Sequence, residues 1–275
     1  MNELVLRNYS KLKITVFYPP VLFLVVILLQ LYISDSLSVI NYIEIQKEHF
    51  YLMNSKLSQF PYLQYNINQL GDTVILLSII SIFILYIPKI WESLLSGIII
   101  SGCISTILKK IFSIPRPAAI LDRDSFIIIG ETLSGSNSLP SGHSVTIFTV
   151  LTILLFAFSP QRIGYKCIYF FTSITVGLIA AFTRVAVGAH YPLDVIFGAI
   201  LGYICGLLGI FISQKTRIWF WINNKNSYPI FISIFLILCT LLVIKILQEG
   251  LIIFYITLNC LLITVYKIIL RYVKK

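Results

Sequence analysis

Three short polar stretches interrupt a mostly apolar chain, and their residue types suit phosphate chemistry. The first, KKIFSIPRP at 109–117, offers Lys109 and then Arg116 between Pro115 and Pro117. The two prolines stop a helix and stiffen the turn around the arginine. The second, SLPSGHSV at 138–145, puts Pro140, Ser141, Gly142 and His143 at the mouth of an apolar run. Free N–H groups and the helix dipole make such a helix start an anion site. A capping turn accounts for Ser141 or Ser144 but not for the histidine, whose charge is unfavourable there unless an anion is also bound. The third, TRVAVGAHYPLD at 183–194, supplies Arg184, His190 and Asp194. His190 and Asp194 are four residues apart. On a helix, the carboxylate would accept a hydrogen bond from one ring nitrogen and leave the other free to attack. Taken singly, the cations have plainer readings as a snorkelling lysine and a loop arginine. Taken together, three fixed cations suit the three equatorial oxygens of a transferring phosphoryl group.

The elements that must position these residues are membrane spans. Of 275 residues, 58% are hydrophobic and 12% charged, and the apolar ones come in long blocks. A span needs roughly 20 apolar residues. Spans are expected near 14–33, 72–88, 93–112, 144–159, 167–187, 193–213, 228–247 and 251–269. The fold class is therefore all-α integral membrane, one polytopic domain over 1–275, with little room for a soluble domain. Lys11 and Lys13 precede a first block with no small-residue cleavage site after it, which predicts an uncleaved first span.

Eight spans put both termini on one side. With that side inside, 13 of the 21 basic residues fall inside, as expected for a cytoplasmic face. The net charge of +10 is then anchoring charge, not a nucleic-acid footprint. All three polar stretches fall on the opposite, outer face. Cys103, Cys167, Cys205, Cys239 and Cys260 lie in apolar blocks and form no C-x-x-C pair, so they are expected to be small buried residues without a metal role. The stretch 34–71, rich in Tyr and Phe, is expected to lie in the interface, with His49 a solvated surface residue. The last two spans carry no polar constellation and are expected to be scaffold.

The three stretches in this order resemble the type 2 phosphatidic acid phosphatase superfamily, whose signature is K-x6-R-P, P-S-G-H and S-R-x5-H-x3-D. Here the matching residues are Lys109, Arg116 and Pro117, then Pro140 to His143, then Thr183, Arg184, His190 and Asp194. Thr183 stands where the family has serine and keeps the hydroxyl. The resemblance implies a six-helix catalytic core over 72–213, to which 228–269 adds two C-terminal spans. It implies that His190 attacks phosphorus and carries a phosphohistidine, that Asp194 orients it, and that His143 protonates the leaving oxygen and later activates water. Lys109, Arg116, Ser141, Gly142 and Arg184 would hold the phosphate, with no metal or cofactor.

The implied function is a membrane lipid phosphatase with its site at the outer face of a bacterial-type inner membrane. Its partner would be a phosphorylated lipid: phosphatidate, phosphatidylglycerol phosphate, undecaprenyl pyrophosphate or a lipid A phosphate. The loop 118–139, with Asp122, Arg123, Asp124 and Glu131, could select the headgroup. Two alternatives share these residues. One is a lipid-to-lipid phosphotransferase. The other is a lipid-phosphate transporter or flippase, whose charges would be expected near the bilayer midplane and not at span ends.

Overall fold

A computed structural model describes residues 1–274, and among the described residues every regular element is helical. In chain order the α-helices are α1 (Asn2–Ser10), α2 (Tyr18–Ile33), α3 (Val39–Leu57), α4 (Pro61–Asn68), α5 (Thr73–Ile79), α6 (Phe83–Tyr86), α7 (Pro88–Phe112), α8 (Pro117–Ile120), α9 (Gly142–Ala157), α10 (Ile163–Ala186), α11 (Pro192–Lys215), α12 (Tyr228–Glu249) and α13 (Ile252–Val273). Their limits follow from local chemistry. Proline sits in the first turn of α2, α4, α7, α8, α11 and α12, where its missing N–H costs nothing. Asp72 caps α5 by accepting from the backbone N–H of Val74 at 2.8 Å. Helix α12 stops at Gly250, which adopts φ +61°, a conformation that glycine takes without strain.

Six stretches are long and apolar enough to cross a membrane: Ile14–Ile33, Pro88–Ile120, Ile163–Ala186, Pro192–Lys215, Lys225–Glu249 and Ile252–Val273. Helix α9 has only 16 residues. That is about 24 Å, short for a hydrocarbon core of ~30 Å. Most of its side chains from Ser144 to Ala157 are buried in protein, so its polar ends need not reach the lipid surface.

The segment 72–88, expected as one span, is broken into α5 and α6. Ser81 at the break turns its hydroxyl to Thr264 of α13, 2.7 Å away. At the far end Pro88 forces Ile87 out of helical geometry (φ −142°, ψ 65°). The segment still runs the full depth of the molecule. Gly71 before it touches His143 at the start of α9. Lys89 after it reaches the carbonyl of Ser213 near the end of α11. Eight passes therefore connect two ends. Asn8, bonded to the Ala157 carbonyl at 2.9 Å, and Arg271, bonded to the Leu85 carbonyl at 2.6 Å, put both terminal regions at the end away from His143.

Helices α9, α11 and α7 form the centre. Glycines 198, 202, 206 and 209 run along α11, and each lets a neighbouring backbone come close. A Cβ at Gly202 would stand 2.4 Å from the Val145 carbonyl oxygen, and one at Gly209 would stand 2.5 Å from that of Ser93. Such small-residue faces are how helices pack closely in lipid. The stretch 34–71, expected as an interfacial segment, is instead folded over the end that carries the polar stretches. Tyr42 and Phe50 of α3 point inward and are buried against Tyr191 and the α10–α11 turn, while His49 is exposed.

Candidate active site

The two histidines stand at the starts of neighbouring helices. His143 is the second residue of α9, and His190 lies two residues ahead of α11. The helix starts are tied together: the Ser141 N–H donates to the Asp194 carbonyl at 3.0 Å. Ser141 is the α9 cap, and its Oγ accepts from the Ser144 hydroxyl at 2.9 Å. That leaves the N–H groups of Gly142 and His143 at the free end of the helix dipole.

His190 is set by the turn that leaves α10. The Arg184 carbonyl accepts from the N–H groups of both Ala189 (3.0 Å) and His190 (3.2 Å), folding the chain back on itself. Gly188 makes this possible. Its φ is +75°, and a Cβ there would meet the Ile127 carbonyl at 2.8 Å. His190 and Asp194 therefore meet across a helix N-terminus and not on a helix face, as the four-residue spacing had suggested. Asp194 is the third residue of α11 and accepts from the Tyr191 N–H at 3.0 Å.

The Asp194 carboxylate is fully buried and held by further donors. Ser138 donates to Oδ2 at 2.5 Å and Tyr42 donates to Oδ1 at 2.9 Å. Burial, and then the nearby Asp194 charge, push the Tyr42 hydroxyl well above the usual tyrosine range, so it stays a donor. His190 Nδ1 lies 3.3 Å from Ser138 Oγ and 3.5 Å from Asp194 Oδ2. The second distance is long for a hydrogen bond, as is common in catalytic pairs without substrate. Nδ1 is thus turned toward the acid, and Nε2 is left for another partner.

Cations surround the imidazole. Arg116 is buried, with Nε donating to Asn137 at 2.7 Å and Nη1 to the Ala189 carbonyl at 3.4 Å. Arg184 is 5% exposed, its Nη1 donates to Asn68 at 3.0 Å, and its Nε has no partner. The Lys109 ammonium lies 3.6 Å from where a Cβ on Gly142 would stand. Burial, and then the charges of Arg184, Arg116 and Lys109, hold His190 well below the usual histidine range, so its neutral, nucleophilic form dominates.

His143 sits at the junction of two cavities. One, of about 400 Å³, runs along α7 past Lys109 and Ser105. The other, of about 260 Å³, is lined by Arg184, Tyr65, Glu131, Lys245 and Glu249. The last two residues belong to α12, so the C-terminal hairpin contributes to the wall of this cavity. The position of His143 depends on Gly71: a Cβ there would come within 2.4–2.6 Å of the His143 side chain. Sequence reasoning missed Ser138, Tyr42, Asn68, Gly71 and Asn137. They reach the site from loops and from α3 and α4, where neither spacing nor periodicity marked them.

Comparison with known proteins gives a consistent picture. The model of the PAP2 superfamily matches residues 91–219, which enclose all three polar stretches. Lipid A 1-phosphatase of Rhizobium etli is 30% identical over 154 residues, covering 53% of this chain and 62% of that protein. Undecaprenyl-diphosphatase BcrC of Bacillus subtilis is 31% identical over 96 residues, covering 32% of this chain and 46% of that protein. The chain thus spans about three fifths of the first relative and less than half of the second. Among solved structures, that of Aquifex aeolicus LpxE is 30% identical and aligns with a TM-score of 0.47, covering 62% of this chain and 96% of that one.

Proposed function

We propose that the chain is a PAP2-type membrane lipid phosphatase acting through a phosphohistidine, on the premise that the PAP2 superfamily model matches residues 91–219. The observation that carries the reading is the buried His190, backed by Asp194 and faced by Arg116, Arg184 and Lys109 at one end of the helix bundle. Nε2 of His190 attacks phosphorus, and the bond from phosphorus to the lipid oxygen breaks. His143 gives its proton to that oxygen, and the lipid alcohol leaves. His143 then takes a proton from water, the hydroxide attacks phosphorus, the phosphorus–nitrogen bond breaks, and inorganic phosphate departs with His190 Nε2 restored. The three cations and the N–H groups at the start of α9 stabilise the charge that builds on the equatorial oxygens. In this reading the charge falls to the lysine and the two arginines.

In this reading the site faces the periplasm or exterior. The end opposite the site gathers Lys225, Lys267, Arg271 and Lys274 around one cavity, as a cytoplasmic face would. The substrate is a lipid phosphomonoester or diphosphate presented from the outer leaflet. The charges lie at helix ends, which favours cleavage over transport through the midplane. If labelled phosphate moves to an acceptor lipid and is not released free, the enzyme is a phosphotransferase with the same first step.

The leaving group separates the two histidines. General acid catalysis typically contributes ~10²–10⁴-fold, and it matters for an alkoxide far more than for nitrophenolate. His143→Ala is expected to cripple hydrolysis of phosphatidate yet keep a burst of nitrophenol from nitrophenyl phosphate. His190→Ala is expected to abolish both reactions and the acid-labile phosphoenzyme. Equal losses in the two variants, with phosphoenzyme still forming in His190→Ala, would reject the roles.

A further inference from the structure

At the end away from the catalytic residues, four cations converge on a cavity that the phosphoryl chemistry does not touch. Lys225, Lys267, Arg271 and Lys274 line this space of about 640 Å³, which lies between the end of α13, the turn before α12 and α6. We propose that it is a binding site for the phosphate headgroup of an anionic membrane lipid, and that a headgroup with two phosphodiesters fits it best. The lipid is a resident of the leaflet at that end and not a substrate, because Asn8 and Arg271 place this end opposite to His143. The inference needs only that the helices span a membrane, so it stands or falls apart from the phosphatase reading.

Anchoring accounts for part of this charge. Lys and Arg collect at cytoplasmic helix ends, and Arg271 and Lys274 also complement the negative end of the α13 dipole. Neither effect accounts for the convergence. Lys267, Arg271 and Lys274 follow one another at spacings of four and three, so they share one face of α13, where like charges repel. Lys225 joins them from a different element across the cavity. No carboxylate lines the space, and among the described residues the four ion pairs found involve none of these cations. An anion seated between them turns the repulsion into attraction. Arg271 is already oriented for one. Its Nη1 donates at 2.6 Å to the Leu85 carbonyl, near the end of the short helix α6. That bond fixes one edge of the guanidinium and leaves the rest of its planar donor fork, the geometry that suits a phosphate.

The walls favour a lipid over a soluble phosphate. Tyr86 and Leu270, both exposed, stand beside the cations. Tyr272 on the last turn of α13 and Trp221 just ahead of Lys225 are exposed as well, and such aromatic side chains mark the depth of the headgroups. A ligand here meets charge on one side and apolar surface on the other. An amphiphile satisfies both, and inorganic phosphate satisfies one. Basic pockets between spans at a cytoplasmic face take lipids of high phosphate charge, and two phosphates answer four cations better than one does. All four cations lie beyond residue 219, outside the stretch that matches the family model. The site therefore belongs to the C-terminal hairpin and not to the shared catalytic core.

The test uses the purified full chain in detergent micelles, with cardiolipin, dioleoyl phosphatidylcholine and inorganic pyrophosphate as probes. Native mass spectrometry and thermal unfolding are the readouts, and neither involves catalysis. Cardiolipin should remain bound at one molecule per chain and raise the unfolding temperature, and phosphatidylcholine should do neither. Lys225→Gln combined with Lys267→Gln should weaken cardiolipin binding by roughly thirtyfold, the effect of two basic residues beside an anionic headgroup. Lys13→Gln combined with Lys215→Gln removes the same charge at the same end but outside the cavity, and should leave binding unchanged. Pyrophosphate held by Arg116 and Arg184 should stabilise all these chains equally. Where the cavity pair shows no cooperative unfolding, Lys225→Gln alone, on an exposed side chain, takes its place. An equal loss in the control pair would reduce the effect to general charge and overturn the site. Loss of the pyrophosphate effect in the cavity variant would make this a soluble-phosphate site and overturn the lipid. Absence of a retained cardiolipin in the wild type would overturn the proposal outright.

Discussion

Asp194 receives hydrogen bonds from Ser138, Tyr42 and the Tyr191 backbone, and this changes what the acid does for His190. A carboxylate with three donors is rigid, so it fixes the ring as well as attracting a proton. Ser138 touches both partners and is the hinge of that arrangement. Ser138→Ala should lower kcat by about tenfold, the effect of one bond to a charged group. The pH profile should separate this loss from a change in the nucleophile. His190 is depressed by burial and surrounding cations, so it gains a proton only below the usual histidine value of about 6.5. The acid limb of kcat/KM, corrected for substrate ionisation, should lie below that value in wild type and variant alike. A limb at or above it in the wild type contradicts the burial argument. At this scale the histidines, the cations and Asp194 were legible because three polar stretches combine them at span ends, although each cation alone reads as an anchor. Ser138 and Tyr42 were not, because a serine and a tyrosine are ordinary residues until the fold brings them to a carboxylate.

At the level of elements, α9 and α11 carry the site on a glycine contact. The missing side chain of Gly202 leaves room for the Val145 carbonyl, and that of Gly198 leaves room for the Ser141 carbonyl one turn from Asp194. Gly202→Val should destabilise the fold by about 1–3 kcal/mol or more, since rigid backbone cannot yield as a side chain can. Thermal unfolding in detergent measures this, and an unchanged midpoint would refute the close packing. Most spans were legible from length and hydropathy alone. The break at 80–82 was not, because the Ser81 hydroxyl bonds to Thr264, 183 residues away. Nor was the fold of 34–71 over the site. Its Tyr and Phe residues suit a membrane interface as well as they suit a protein core, and only the partners of Tyr42 and Phe50 decide between them.

For the whole molecule, eight passes leave both terminal regions at the end away from the site. Single cysteines at Ser136 and Asn224, in a chain otherwise free of cysteine, should react differently with an impermeant thiol reagent in intact cells. Ser136 beside Lys109 should label, and Asn224 at the basic end should not. The reverse pattern would turn the protein over. The sequence had no means to assign α12 a part in the site, because one lysine and one glutamate near a span end are ordinary anchors. Their meaning comes from the cavity they share with Arg184.

Arg116 and Arg184 are buried, and among the described residues neither forms an ion pair with a carboxylate. Two desolvated positive charges therefore stand near each other without a carboxylate partner among the described residues. If the proposed phosphate site is right, folding and binding are linked, because an oxyanion held by these arginines would bind the native chain and not the unfolded one. At a hundred times its dissociation constant such a ligand adds about 2.7 kcal/mol to stability. Orthovanadate or inorganic phosphate should raise the unfolding temperature of the wild type in proportion to the logarithm of its concentration, and Arg184→Gln should lose most of that response. In the proposed reading, the substrate's phosphate would serve as the last residue of the core.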